Sequence, residues 1–391
     1  MSRNLAFWIV GATLVLFLFA AAAPSPLYGV YAARWHFSAI TLTEVFGVYA
    51  IALLVTLLLT GSLSDAVGRR PVILASLGIQ LAGMALFVLA SSVEWLFAAR
   101  IVQGVATGLT TSALAASLVD LNPPLAPVVN AASPTVGLAL GGLTSAALAQ
   151  YAPDPLHLVY VVLIAGFFAA AVATAVMPEP TRQRGPMHWI PRVDVEPSIR
   201  PAFTAGLPML IAGWGVGGFY LSLGPSVVLQ LAASSSRLLG GIAIALLAGV
   251  GAISTIAASA WQPPRLMTVG GVSLPVGLAI SVAAVLVGSS VLFFVGTAVT
   301  GVGFGLGWLG VLRSLVARAS PSERGALLAT IFIVAYLSFA VPAVIAGVLV
   351  TRIGLHDAAL WYGTGVGLLA LAGLVGALTV GRPERARVGT T

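Results

Sequence analysis

The sequence predicts an all-α membrane protein with twelve transmembrane helices in two pseudo-symmetric six-helix bundles. Three observations predict this fold class. The 391-residue chain is 59% hydrophobic and 7% charged, long apolar runs recur throughout it, and one long polar segment lies at its middle. A soluble domain carries about 25% charged residues, so this much apolar surface requires a lipid bilayer around it.

Windows of about 20 residues, the length that crosses a bilayer as a helix, give twelve candidate spans. They lie near residues 5–30, 40–60, 72–90, 96–118, 126–149, 157–177, 202–230, 238–259, 267–288, 290–312, 325–350 and 357–380. An even number of spans places both termini on one side. The other arginines of the chain lie on the same side as the termini; only Arg34, Arg237 and Arg352 fall on the opposite side, and Arg100 lies within a span. Because loops rich in Arg stay inside, we expect a multi-pass protein of the bacterial cytoplasmic (inner) membrane with both termini cytoplasmic.

The polar segment divides the chain into two halves of equal span number. We predict an N-terminal bundle at 1–177, a cytoplasmic linker at 178–200 and a C-terminal bundle at 201–391. A repeat supports the division, because residues 100–109 align with residues 297–306 and share two valines, two glycines and a leucine. We interpret spans 4 and 10 as repeat partners. Duplicated halves with a site at their interface are typical of transporters.

Composition excludes several function classes. The chain has no Cys, so it has no disulfide, thiol nucleophile or zinc-thiolate site. All of its basic residues are Arg, and without Lys it has no ATP-binding loop. The net charge of +7 follows from the positive-inside rule and does not indicate nucleic acid as a partner. We expect no cofactor, metal or enzymatic activity. A membrane enzyme would need clustered acids or histidines, and a sensor would need an output domain; both remain alternatives.

A charged loop follows span 2, and residues 61–74 read GSLSDAVGRRPVIL. Two glycines allow unusual dihedral angles in a tight turn, and the acid and the two arginines invite ion pairs. We expect Asp65 to face the positive N-terminal end of span 11, and the arginines to reach the acid that ends span 4. The predicted conformational gate comprises Gly61, Asp65, Gly68, Arg69, Arg70 and Asp120. The alternative is that these residues set only topology and turn geometry.

Three motifs carry a family resemblance. The pattern Gly-x-Leu-x-Asp-x-x-Gly-Arg-Arg resembles the loop between helices two and three of the major facilitator superfamily. Arg100-x-x-Gln103-Gly104 resembles its helix-four pattern. Residues 133–142 resemble the helix-five signature of its antiporters at Gly137, Gly141 and Gly142, although Ser133 and Leu138 depart from it. The resemblance implies a transporter of the 12-helix drug/metabolite exporter group, in which the helix-four arginine is associated with proton relay.

Arg100 and Glu44 are the predicted charges of proton coupling. A cation within a span usually faces a cavity or a partner, although a snorkelling Arg is the alternative. Glu44, near the outer end of span 2, is the carboxyl best placed to partner Arg100. A half-buried carboxyl suits proton binding and release, whereas a solvated acid at a helix start needs no function. Protons are therefore an expected partner, although span 1 carries no acid in its core.

The substrate cavity is predicted between spans 1, 4, 7 and 10, with a contribution from span 11. Its candidates are Tyr28, Gln103, Asn130, Trp214, Tyr220, Trp308 and Tyr336. Aromatic rings with little charge favour small lipophilic or weakly cationic compounds, although such rings also face lipid in interfacial belts. Polar groups such as Gln103 and Asn130 keep a sugar or other metabolite exporter or facilitator open. We predict a monomeric secondary transporter for a small-molecule substrate, working by alternating access and coupled to protons.

Overall fold

The computed structural model describes residues 1–181, 185, 192–320 and 323–380. Within these ranges, 11 helical stretches have the length and composition of membrane spans. The last of them contains two helices joined at Gly354, where φ is 84° and ψ is 164°. The described residues therefore contain the twelve predicted spans. Residues 182–184 and 186–191 of the predicted linker, and the chain after residue 380, lie outside the described part.

The helix bounds follow the predicted spans closely, and spans 4 and 10 extend several residues beyond their predicted ends. Spans 1 to 6 are Arg3–Ala22 with Tyr28–Trp35, Ala39–Thr60, Arg69–Val88, Val93–Leu121, Ala126–Tyr151 and Leu158–Ala175. Spans 7 to 10 are Arg200–Ser222 with Gly224–Leu231, Arg237–Ala257, Pro263–Val287 and Ser290–Arg318, and spans 11 and 12 share Arg324–Val380. We call the end of the bundle that carries the 61–70 loop the loop face, and the other end the opposite face.

Spans 1 and 7 are both interrupted at corresponding depths. Span 1 passes through a 3-10 turn at Ser25–Leu27, flanked by Pro24, and span 7 breaks before Pro225. A proline lacks the N–H that would continue the helix, so each break releases backbone carbonyls from the helical pattern. Interrupted spans in equivalent positions of two repeats are a feature of transporters.

The aligned glycines of spans 4 and 10 occupy equivalent contacts. A Cβ atom on Gly104 or Gly108 would lie 2.5 Å from a backbone oxygen of span 2. A Cβ atom on Gly301 or Gly305 would lie 2.7 or 2.3 Å from a backbone oxygen of span 8. Only glycine permits backbones to approach this closely. The repeat read from the sequence therefore corresponds to a repeated packing arrangement.

Two pairs of helices make the principal contacts between the halves. Span 2 packs on span 11, where a Cβ atom on Gly347 would lie 2.1 Å from Thr43 Oγ1. Span 5 packs on span 8, where a Cβ atom on Gly241 would lie 2.3 Å from Ala146 Cβ. All four of these residues lie in the parts of their spans nearer the opposite face. The protein is therefore closed at the opposite face.

Candidate functional site

The predicted gate residues form a charged cluster at the loop face. Arg69 Nε donates to Asp120 Oδ2 at 3.1 Å, and Arg69 Nη1 pairs with Asp65 and donates to Ser64 Oγ at 2.7 Å. The side chains of Arg69 and Asp120 are 11% and 26% exposed, whereas Asp65 is 48% exposed. Partly buried charges hydrogen-bonded to each other interact more strongly than exposed pairs. The partnership of Arg69 with Asp120 agrees with the sequence prediction.

The loop is also fastened to the end of span 6 and to the linker. Arg70 donates a side-chain hydrogen bond to the carbonyl of Ala175. The Glu179 carboxylate accepts backbone N–H groups of Arg69 at 2.7 Å and Arg70 at 3.3 Å. It therefore caps the positive N-terminal end of span 3. Glu179 was not predicted, since its position after span 6 gave no sequence signal that it reaches span 3.

The two loop glycines differ in conformation, and the expected unusual dihedral angles occur at only one of them. Gly68 has φ 118° and ψ 156°, a conformation that residues with a Cβ atom rarely adopt. Gly61 has φ −56° and ψ −33°, which is ordinary helical geometry.

Asp65 makes its contacts with the N-terminal half and the linker in this conformation. Its carboxylate pairs with Arg69, and its backbone carbonyl accepts the N–H of Gly185. The expected approach of Asp65 to the start of span 11 is not made here.

Span 4 satisfies the backbone groups released by the break in span 1. Pro24 has no N–H to give to the carbonyl of Ala20, and Gln103 Nε2 donates to that carbonyl at 2.8 Å. Arg100 Nη1 donates to Ala21 O at 3.1 Å and to Gln103 Oε1 at 2.6 Å. On span 5, Ser145 Oγ donates to Ala23 O at 2.5 Å. The helix-four motif thus holds a broken helix, which uses the hydrogen-bonding capacity of Gln103 that we had assigned to substrate.

Arg100 is completely buried, with an exposed fraction of 0%. Its guanidinium lies 4.2 Å from the ring centroid of Tyr49 and 5.8 Å from that of Phe46, both on span 2. Cation–π contacts of this kind stabilise a desolvated Arg. The snorkelling alternative is therefore excluded for this conformation. Glu44 is exposed and makes no hydrogen bond or ion pair with the described residues, so the expectation that it is half-buried against Arg100 is wrong.

Aromatic rings from three helices of the C-terminal half converge near the middle of the bundle. Trp214 of span 7 lies 5.2 Å from Trp308 of span 10 and 5.0 Å from Tyr336 of span 11, measured between ring centroids. Phe332 and Phe339 complete what we call the aromatic cluster. All five side chains are partly exposed although they pack on one another.

The depth of the aromatic cluster follows from the helix bounds. At a rise of 1.5 Å per residue, Trp214, Trp308 and Tyr336 lie between roughly 15 and 21 Å from the loop-face ends of their helices. The hydrocarbon core is about 30 Å thick, so the cluster lies near its centre. Phe339 also contacts Phe46 of span 2, with centroids 4.9 Å apart. The cluster therefore lies where the two halves meet, and Phe46 connects it with the buried Arg100.

Three other cavity candidates lie elsewhere. Tyr28 is 1% exposed and lies at the break in span 1, next to the side chain of Arg100. Tyr220 is buried in the C-terminal half, where its hydroxyl shares a hydrogen bond of 2.8 Å with Thr297. Asn130 Nδ2 donates to the carbonyl of Ala115 at 3.2 Å. The prediction that Tyr220 joins Trp214 and Trp308 in one cavity is wrong, because residues 214 and 220 lie on different sides of span 7.

The helix-five glycines join span 5 to two neighbours. A Cβ atom on Gly137 or Gly141 would lie 2.5 or 2.3 Å from a backbone oxygen of span 1. A Cβ atom on Gly142 would lie 2.6 Å from Ile244 Cγ2, which belongs to span 8 of the other half. Gly142 thus contributes directly to the closed opposite face, whereas Gly137 and Gly141 fix span 5 within its own bundle.

Sequence reasoning missed Phe332 and Phe339 of the aromatic cluster, and Tyr49 and Phe46 beside Arg100. The spacing of residues 332, 336 and 339 is that of one helix face, and this signal could have found the two phenylalanines. The capping role of Ser145 has no such signal, because it depends on which helix lies against the break.

Comparisons with known proteins give a family and, separately, a fold. The model of the Major Facilitator Superfamily matches residues 8–276, and comparison with curated proteins gave no significant match.

Three solved structures share the fold. The nucleoside transporter NupG matches with TM-score 0.71 and 14% identity, over 96% of this chain and 100% of that one. A bacterial homolog of the human lysosomal transporter Spinster, inward-facing and unoccupied, matches with TM-score 0.72 and 15% identity, over 97% and 94%. The human organic anion transporter MFSD10 (TETRAN) matches with TM-score 0.68 and 16% identity, over 96% and 100%. The family model covers more than half of the chain, so the protein is a multi-pass membrane protein that belongs to the major facilitator superfamily of transporters.

Proposed function

We propose that the protein is a secondary transporter that carries small lipophilic organic compounds by alternating access. The observation that supports this most directly is the aromatic cluster. Its partly exposed rings lie near the centre of the membrane, between two halves that are closed at the opposite face. A solute at this position would be released toward one face or the other as the halves rock.

The chemistry of the cluster favours planar apolar solutes. Aromatic faces bind other rings by stacking and edge contacts and bury much apolar area. Weakly cationic solutes are also favoured, because the faces of Trp and Tyr attract cations. Gln103 and Asn130, the polar groups that would favour a sugar, both donate to backbone carbonyls. These contacts in the present conformation favour an apolar solute over a sugar or other metabolite.

Export coupled to protons is the finer part of the proposal. The helix-five resemblance supports export, since Gly142 lies in the contact that must open for release at the opposite face. Burial raises the pKa of a carboxyl, so a carboxyl whose burial changes between the two conformations can bind and release a proton. Glu44 is exposed in the present one, so coupling requires a direct measurement. We further propose a monomer in a bacterial inner membrane with the loop face cytoplasmic.

The loop-face cluster is proposed as the gate of this cycle. Arg69 is already held by Asp65 and Asp120 within the N-terminal half. When the loop face closes, the exposed Asp65 carboxylate is the group available to meet the positive start of span 11. The cluster would then stabilise the conformation in which the opposite face is open.

The experiment is flux through proteoliposomes with and without an imposed pH gradient. Ethidium serves as the cationic aromatic probe and Nile red as the uncharged one. Trp214→Ala should raise the half-saturating probe concentration about tenfold, equivalent to about 1.4 kcal/mol for a lost aromatic contact. The matched control is Trp361→Ala, since Trp361 is 69% exposed and lies outside the cluster.

Two outcomes would contradict the proposal. Equal effects of the Trp214 and Trp361 substitutions would remove the cluster from the solute site. Efflux of either probe that ignores the pH gradient would reject proton coupling while leaving alternating access intact.

A further inference from the structure

The opposite face carries a polar contact between the two halves. Arg237, the first residue of span 8, donates its backbone N–H to Gln150 Oε1 at 2.9 Å. Its guanidinium Nη1 donates to the carbonyl of Ala149 at 2.5 Å. Gln150 and Ala149 lie in the last turn of span 5. The contact therefore joins the end of one helix in the N-terminal half to the start of another in the C-terminal half.

The contact satisfies both helix ends at once. The last carbonyls of span 5 have no N–H donors within their helix and carry partial negative charge, which a guanidinium complements. The first N–H groups of span 8 are equally free, and the side-chain oxygen of Gln150 caps one of them. Each helix thus caps the other, and neither cap survives if the helices separate at this face.

The contact lies nearer the opposite face than the closest approach of spans 5 and 8. A Cβ atom on Gly241 would lie 2.3 Å from Ala146 Cβ and 2.7 Å from the carbonyl oxygen of Gly142. Opening the opposite face has to separate these backbones. The polar caps and the glycine contact therefore break in the same movement.

The contact also accounts for an exception to the arginine distribution. Arg34, Arg237 and Arg352 were the three arginines predicted on the outer side. Arg34 and Arg352 are exposed and make no hydrogen bond with the described residues, whereas Arg237 bonds across the halves. Its position against the positive-inside rule thus coincides with a specific contact.

We propose that Arg237 and Gln150 form a latch that holds the opposite face closed, and that its release is a step of the transport cycle. This inference rests on the proposed alternating-access function. The latch acts by positioning span 8 against span 5, and it does not touch the solute.

The test measures exposure of a single cysteine introduced as Ala340→Cys. The native chain has no Cys, and Ala340 is 2% exposed in the contact of spans 2 and 11. Maleimide labelling is followed in nanodiscs without solute. Arg237→Ala should raise the labelling rate about tenfold, because a hydrogen bond from a charged group is lost at the closed face. Gln150→Leu should raise it less, and Arg237→Lys should restore most of the protection.

Arg352→Ala is the matched control and should leave the rate unchanged. A labelling rate in Arg237→Ala equal to that of the native latch, in protein with unchanged thermal unfolding, would overturn the proposal. The proposal would also be overturned if Arg237→Ala labels faster but unfolds at a lower midpoint, and Arg237→Lys shows the same lowered midpoint. The role of Arg237 would then be structural. The labelling assay needs no solute, so it is independent of the flux assay. If the wild-type protein carries neither probe but Arg237→Ala still labels faster, the transport proposal is rejected and the latch is retained.

Discussion

Replacing Gln103 by Leu removes the side chain that joins Arg100 to the broken first span. Leu is apolar and has nearly the same size as Gln, so the packing volume is kept while two hydrogen bonds are lost. These bonds are Nε2 to Ala20 O at 2.8 Å and Arg100 Nη1 to Oε1 at 2.6 Å. The carbonyl of Ala20 cannot recover a helical partner, because Pro24 has no N–H.

The expected loss can be worked from these two bonds. A neutral hydrogen bond contributes about 0.5–1.5 kcal/mol and one to a charged group about 1.5–3 kcal/mol. Side-chain bonds between membrane helices average only about 0.6 kcal/mol, with a maximum near 1.7 kcal/mol, because the unfolded chain in lipid also finds partners. The free energy of unfolding should therefore fall by about 1–3 kcal/mol, between these two scales.

The assay is unfolding by denaturing detergent in mixed micelles, followed by circular dichroism and tryptophan fluorescence. The matched control is Gln80→Leu. Gln80 is also 0% exposed, but neither its side-chain oxygen nor its nitrogen has a partner among the described residues. Removing unsatisfied buried polar atoms should leave stability unchanged or raise it. If Gln103→Leu lowers stability no more than Gln80→Leu, the capping argument is refuted.

Three further outcomes follow from other parts of the molecule. Gly241→Ala forces a Cβ atom into the contact of spans 5 and 8, at an overpacking cost of about 1–3 kcal/mol. The equilibrium between the closed and the open opposite face should therefore shift about 5- to 150-fold toward the open state, measured by cysteine labelling. Gly249→Ala is the control, because a Cβ atom there has its nearest neighbour at 3.8 Å, and it should leave the labelling unchanged. Asp65→Asn should slow turnover more than it weakens probe binding, and equal loss of binding with unchanged turnover would count against the gate. Glu196 of the linker accepts the backbone N–H of Ser320, just after span 10, at 3.4 Å. The Ser198 hydroxyl and this N–H hold the pKa of Glu196 below its usual range, so the contact should be fully formed above the unfolded pKa of about 4.3 and be lost as pH falls through the folded value. Hydrogen exchange of residues 192–199 measures this, and a pH dependence that persists in Glu196→Gln would contradict it.

The spans, the repeat and the first gate contacts were predictable because they depend on local composition and spacing. Apolar windows gave the helices, and the repeated glycines of spans 4 and 10 gave the equivalent packing positions. Arg69 and Asp120 could be paired because both lie at the loop-face ends of neighbouring spans. The full partner sets could not be predicted, since Glu179 reaches span 3 from a segment 110 residues away.

The charges and polar groups within the bundle were less predictable. Glu44 and Arg100 were paired by depth alone, but the helical phase of span 2 turns Phe46 and Tyr49 toward Arg100 and leaves Glu44 exposed. Gln103 was assigned to a cavity because its type suits substrate. Its actual role depends on which carbonyls a distant proline releases, and this information exists only once spans 1 and 4 are packed together.

The most direct test of alternating access is counterflow. Vesicles containing the wild-type protein are loaded with unlabelled Nile red or ethidium and diluted into a trace of labelled probe. A carrier whose central site faces one side at a time exchanges solutes, so labelled probe should accumulate transiently above its equilibrium level. Uptake that is identical in loaded and empty vesicles, for every probe that the protein carries, would contradict the central claim.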